Sequence, residues 1–189
     1  MRYIVHLLPE ERQRVAFDAL RDRVAAAIGQ NKALDYPTAH VTLLWDIEDQ
    51  PDAPVAIDPL ALAALLDREA GSASIALAVR NGMETIEHHL LLPMEDTARL
   101  AALRQRLLTG IRAMVSALDA NHAARVREQT WPHLTIAQDV EGQRWRAGLA
   151  LIQSEGEWVR QPVIGAALAL VARDVAVGQP YAIAHQVAL

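Results

Sequence analysis

The tightest constraint on this chain is a short pattern that occurs twice: Ala39-His40-Val41-Thr42-Leu43-Leu44-Trp45 and Pro132-His133-Leu134-Thr135-Ile136-Ala137. Each copy reads His, apolar, Thr, apolar, and each is rich in the β-branched and aliphatic residues that favour strands. Alternate side chains of a strand share a face. His40 and Thr42 therefore point one way and Val41 and Leu43 the other, while His133 and Thr135 oppose Leu134 and Ile136 in the same manner. Such a chain must bury two aliphatic faces and leave two imidazole–hydroxyl pairs on the opposite side. A proline precedes each motif (Pro37, Pro132), and an aromatic precedes each proline (Tyr36, Trp131).

The surroundings repeat as well. Residues 3–8 are predicted as a strand, and Pro9, Glu10 and Glu11 as the start of a helix. That helix buries Phe17, Leu20, Val24, Ala27 and Ile28 and stops at Gly29. The first motif strand is followed by an acidic loop over 46–54, then by a helix opened by Asp58-Pro59. Residues 72–80 and 84–92 read as a hairpin across Asn81-Gly82. A long helix opens at Glu95-Asp96-Thr97, with Leu100, Leu103, Leu107, Ile111, Met114 and Leu118 on one face. Thr109-Gly110 weakens it locally, and Asn121 and His122 fall near its end. The second motif strand leads to a helix over 142–154 and strands over 162–173 and 181–189. The order is thus strand, helix, motif strand, helix, strand, strand, twice over. The spacing agrees, since His40 to Arg80 is 40 positions and so is His133 to Arg173.

Composition narrows the class. The chain has 189 residues, 52% of them apolar, enough for one well-buried domain. No apolar run approaches the ~20 residues of a membrane span, and the N-terminal apolar stretch is too short for a secretory signal. There is no cysteine, which excludes disulfides and thiolate chemistry. A cytoplasmic location is the expectation. The formal net charge is −5, with arginines scattered along helix faces and Lys32 the single lysine. A protein that grips a long polyanion carries a basic stripe. A small phosphorylated substrate, a nucleotide or RNA terminus, is therefore expected as partner, and extended duplex nucleic acid is not.

The doubled His-x-Thr-x pattern resembles the two-histidine (2H) phosphoesterase superfamily, which includes 2′-5′ RNA ligase-like proteins and cyclic nucleotide phosphodiesterases. The resemblance implies an α+β fold, bilobed and pseudo-symmetric. Two antiparallel-rich sheets would form a central cleft, one motif strand from each lobe, with helices on the outside. It also implies chemistry on 2′,3′-cyclic phosphates or 2′-5′ phosphodiesters without metal or cofactor. No low-complexity linker separates the halves, so residues 1–189 read as a single domain of two lobes with a boundary near 93.

The residues point to the same chemistry. A free imidazole titrates near ~6.5, so one histidine can take a proton from an attacking hydroxyl while the other gives one to the leaving oxygen. His40 and His133 are the candidates, with Thr42 and Thr135 as donors to the non-bridging phosphate oxygens. Which histidine is acid and which is base is open, as is hydrolysis against ligation. Arg80 and Arg173 are candidates to clamp the phosphate, or else ordinary strand-end arginines. Tyr36, Trp45, Trp131 and Tyr181 can stack on a base or pack between the lobes. His88 and His89 point to opposite faces of a strand and make a poor metal pair; His6, His122 and His185 read as structural or surface residues. Three other readings remain open: a nucleotide- or phosphate-binding module without turnover, a metallohydrolase, and 2′-5′ RNA ligation as the main activity. The metallohydrolase is disfavoured because no His-Glu-x-x-His or His-x-His spacing occurs.

Overall fold

The computed structural model describes residues 1–29, 31–48, 56–71, 73–80, 84–86, 88–116, 123–140, 142 and 144–189. Its strands are β1 (Arg2–Pro9), β2 (Val41–Glu48), β3 (Ile75–Leu77), β4 (Glu84–Ile86), β5 (His89–Pro93), β6 (Arg127–Glu128), β7 (His133–Ala137), β8 (Val163–Arg173) and β9 (Ala182–Ala188). Four α-helices are described: α1 (Glu11–Ile28), α2 (Pro59–Glu69), α3 (Ala98–Ser116) and α4 (Trp145–Ser154). The strands run in the order β3-β8-β1-β2-β7-β5-β4, all antiparallel, with β9 on β8 and β6 on β2. The fold is α+β, as expected, with its helices packed on the sheet. The two expected sheets join into one path where β2 meets β7, at the pair Val41↔Leu134.

The helix boundaries follow local chemistry. Asp58 caps α2 by accepting from the Leu60 amide at 2.9 Å, and Pro59 takes the first turn. Gly29 ends α1 in the left-handed region at φ 85°. Pro9 closes β1 instead of opening α1, and Glu10 stands at the helix N-cap. α3 runs unbroken through Gly110. A Cβ there would lie 2.6 Å from Leu65 of α2, so the glycine brings the two helices together where it was expected only to weaken one. Gly148 does the same for α4, where a Cβ would lie 2.8 Å from Leu90 and 3.3 Å from Val24 of α1.

The expected pairing of 72–80 with 84–92 is replaced by another: Val79 bridges Met94, beyond the expected partner, and Arg80 donates to the Pro93 carbonyl. β3 pairs with β8 at one end of the sheet, and β4 pairs with β5 at the other. The real hairpin lies inside the segment read as one strand, with Glu84↔Leu91 and Ile86↔His89 in register. Asn81-Gly82 lies outside the described residues, as do 49–55 of the acidic loop and Leu118, Asn121 and His122. Nor do the two sides of the sheet follow the two sequence halves. β8 and β9 flank β1, while β4 and β5 flank β7. The helices are exchanged too, with α1 against α4 and α2 against α3. Each side is therefore built from both halves. That interleaving buries one continuous core running from Val5, Phe17 and Leu43 to Leu107, Leu134 and Leu170. Among the described residues, no helix is long and apolar enough to cross a membrane.

Candidate active site

β2 and β7 place the two motifs side by side, and their alternation is the expected one. Val41, Leu43, Leu134 and Ile136 are at most 1% exposed, while Thr42 and Thr135 line a cavity of about 360 Å³ together with His40 and His133. His40 immediately precedes β2 and His133 is the first residue of β7. Each ring is anchored by its own backbone. His40 Nδ1–H donates to the Thr38 carbonyl at 2.8 Å, and His133 Nδ1–H donates to the Trp131 carbonyl at 2.9 Å. The Gln129 carboxamide lies 3.2 Å from the same His133 nitrogen. Committing Nδ1 to a carbonyl leaves Nε2 as the nitrogen that exchanges protons, in both rings.

The duplication extends beyond the motifs. Six positions after each histidine an aspartate adopts positive φ, Asp46 at 59° and Asp139 at 55°, a conformation Asp tolerates better than most residues. Four positions before each histidine stand Tyr36 and Gln129, and five positions after stand Trp45 and Gln138; all four line the cavity. The inner neighbours β1 and β5 also correspond, since His6 faces Thr42 as Leu91 faces Thr135.

An ion pair between a buried arginine and a half-buried aspartate supports the His40 side. Arg21 of α1, 2% exposed, donates to Asp18 at 2.9 Å and to the Ala33 carbonyl. Asp18 in turn accepts from the Thr38 hydroxyl and from the Ala39 amide at 2.6 Å. This fixes the segment whose carbonyl holds the His40 ring. Burial is the main influence on both imidazoles. It pushes His40 down to about 3, with the Arg21 and His133 charges adding to it and the Thr38 hydrogen bond opposing it. Burial and the charge of His89 also lower His133, against the Trp131 hydrogen bond.

The aromatic candidates divide. Tyr36, Trp45 and Trp131 line the cavity, and the Trp131 ring lies 5.0 Å from that of His133. Tyr181 is buried behind the wall, stacked on Tyr36 at 4.7 Å. Neither expected arginine lines the cavity. Arg80 is exposed, and its amide donates to the Pro93 carbonyl at 2.8 Å, next to the Val79↔Met94 bridge at the end of β5. Arg173 ends β8 with its guanidinium over the Tyr181 ring at 5.5 Å. Sequence reasoning missed Gln129 and Gln138, which a 93-residue offset applied to Tyr36 and Trp45 would have found. It also missed His89, which lines the cavity while its neighbour His88 faces solvent. Among the described residues, no group of three or more His, Cys, Asp or Glu could hold a metal.

A family model described as the 2′-5′ RNA ligase superfamily matches residues 9–176. The chain belongs to this superfamily. No curated protein sequence matches the chain. Among solved structures, TT0787 of Thermus thermophilus is similar with a TM-score of 0.60 at 19% identity, covering 100% of this chain and 98% of its own. Apo E. coli LigT has a TM-score of 0.54 at 14% identity, covering 100% of this chain and 96% of LigT. LigT complexed with 3′-AMP has a TM-score of 0.50 at 15% identity, covering 100% and 97%. These likenesses show the fold, and the superfamily fold agrees with the α+β architecture described above.

Proposed function

We propose that this member of the superfamily hydrolyses a 2′,3′-cyclic phosphate or a 2′-5′ phosphodiester of a nucleotide or RNA end, using two histidines and no metal. The observation that carries the reading is the pair of imidazoles on one cavity, each with Nδ1 tied to a carbonyl and Nε2 left to work. One Nε2 accepts the proton of the attacking water as the new P–O bond forms. The other, protonated, delivers its proton to the oxygen whose bond to phosphorus breaks. Such positioned proton transfers contribute typically ~10²–10⁴-fold each. The hydroxyls of Thr42 and Thr135 donate to the non-bridging oxygens as charge develops there. Tyr36, Trp45 and Trp131 supply flat surfaces for a nucleobase. Phosphate and 3′-AMP, with which LigT was crystallised, are ligands of the class this cavity would take.

The test is a panel of 2′,3′-cyclic nucleotides and 2′-5′ dinucleotides, incubated with the protein in excess chelator, with products separated and identified. The expected result is a nucleoside monophosphate from at least one substrate at an undiminished rate. Tight binding without product would favour the binding-module reading, and loss of activity in chelator would favour a metallohydrolase. Net formation of 2′-5′ linkages from cyclic ends would make ligation the main activity.

A further inference from the structure

His6 has no part in the chemistry above, yet it lies flat against His40. It is 1% exposed, on β1 opposite Thr42. The two rings have centroids 3.5 Å apart and planes within 5° of parallel. Tyr36 tilts onto both, 4.9 Å from His40 and 5.6 Å from His6. His6 Nε2 has no hydrogen-bond partner among the described residues. A buried polar atom left unpaired is destabilising, so an aliphatic side chain would serve the core better here. The other half of the molecule uses one, for Leu91 occupies the corresponding place opposite Thr135.

The two motif histidines thus sit in unlike surroundings. His40 is 8% exposed, and the titratable groups that face it are His6 from β1 and Tyr36 from the segment before β2, both in ring contact, with Arg21 from α1 and His133 from β7 acting through their charge. Three of these four are bases that are, or can become, cationic, and none is a carboxylate; Asp18 is taken up by Arg21, Thr38 and Ala39. His133 is half-buried, with Trp131 tilted onto it and His89 on β5 beyond. An indole face favours a cation beside it.

Resting on the function proposed above, we propose that His6 is a positioning residue: its stack fixes the His40 ring and keeps it proton-free, so that His40 is the base and His133 the acid when water opens the ester. The water oxygen bonds to phosphorus and its proton passes to His40 Nε2. The P–O bond to the departing oxygen breaks, and that oxygen takes the proton of His133 Nε2. Exchange with solvent returns both rings to their starting states.

The roles are separated by a cyclic substrate with sulfur replacing one ring ester oxygen, because a departing thiolate needs no proton. His133→Ala is expected to regain ~100-fold or more on the sulfur substrate relative to the oxygen one, and His40→Ala to regain nothing. His6→Leu should lower kcat ~10- to 100-fold through loss of ring placement, with KM unchanged, and His6→Phe should restore most of it. In the wild-type protein, ¹⁵N imidazole spectra should show His40 neutral with Nε2 unprotonated from pH 5.5 to 7.5, a readout that needs no variant to fold. Rescue of His40→Ala by sulfur, a wild-type kcat in His6→Leu, or a His40 ring that titrates above pH 6 would overturn the proposal. If the wild-type protein turns over neither substrate, the function fails, and the spectra still judge the His6 stack on their own.

Discussion

Neutral buried histidines make a protein acid-sensitive, and His40 allows the size of the effect to be worked out. Its pKa is pushed down to about 3, chiefly by burial, against ~6.5 in the unfolded chain. Below pH 6.5 the unfolded state therefore binds a proton that the folded state refuses. The stability His40 contributes is intact above the unfolded value and is lost progressively as pH falls from there toward 3. Each unit costs about 1.4 kcal/mol, so lowering the pH to 5.0 removes about 2 kcal/mol at this one residue. His6, held well below its ordinary value by burial and then by the His40 and Arg21 charges, and His133, lowered by burial, act with the same sign. The assay is urea unfolding at pH 7.5 and 5.0, followed by tryptophan fluorescence, on the wild-type protein and His40→Phe. The wild type should lose about 2 kcal/mol more than the variant between the two conditions. Equal losses, within about 0.5 kcal/mol, would show that His40 is charged or solvated in the folded state, and the reasoning from burial would fail.

Three further outcomes follow from the same structure. The profile of kcat/KM against pH should be bell-shaped with its maximum on the acid side of 6.5, because the lowered His133 loses its proton there while His40 protonates only near 3; a maximum above pH 7.5 would contradict this. Asp18→Asn should weaken the hold on Arg21, Thr38 and Ala39, costing ~1–3 kcal/mol in thermal or urea unfolding and lowering kcat as the His40 anchor loosens. Gly110→Val should destabilise by ~1–3 kcal/mol without changing KM, since a Cβ there meets Leu65 at 2.6 Å in a packed core; an unchanged melting temperature would mean that α2 and α3 do not meet at this glycine.

What the sequence made legible was local. The alternation of His40, Thr42, His133 and Thr135 against Val41, Leu43, Leu134 and Ile136, the Asp58-Pro59 cap and the Gly29 stop each depend on neighbours a few residues away, and each appears in the structure. Strand pairing depends on distant partners. The Asn81-Gly82 signal outweighed everything else near it, yet β3 finds β8 more than 80 residues on, and β4 turns back on β5. An apolar strand such as Ile75–Leu77 carries no mark of which edge it will join. The exchange of strands and helices between halves is invisible for the same reason. His6 was passed over because it stands singly in an apolar strand, and His89 because it was weighed only as half of a metal pair with His88. Only the pairing of β1 with β2, and of β5 with β7, brings them to the motif histidines. Arg80 and Arg173 illustrate the converse, since equal spacing from the two motifs did not give them equal places: one is exposed beside the end of β5 and the other lies over Tyr181.

The central claim is that His40 and His133 act as one proton-transferring pair on a phosphodiester. Its most direct test is the single-turnover rate of the wild-type protein, His40→Ala and His133→Ala on a 2′,3′-cyclic nucleotide, with each variant shown to melt as a folded protein. Each variant should lose ~10²-fold or more, and the double variant little beyond the worse single, because the two groups serve one step. A single variant that retains near wild-type turnover would contradict the account.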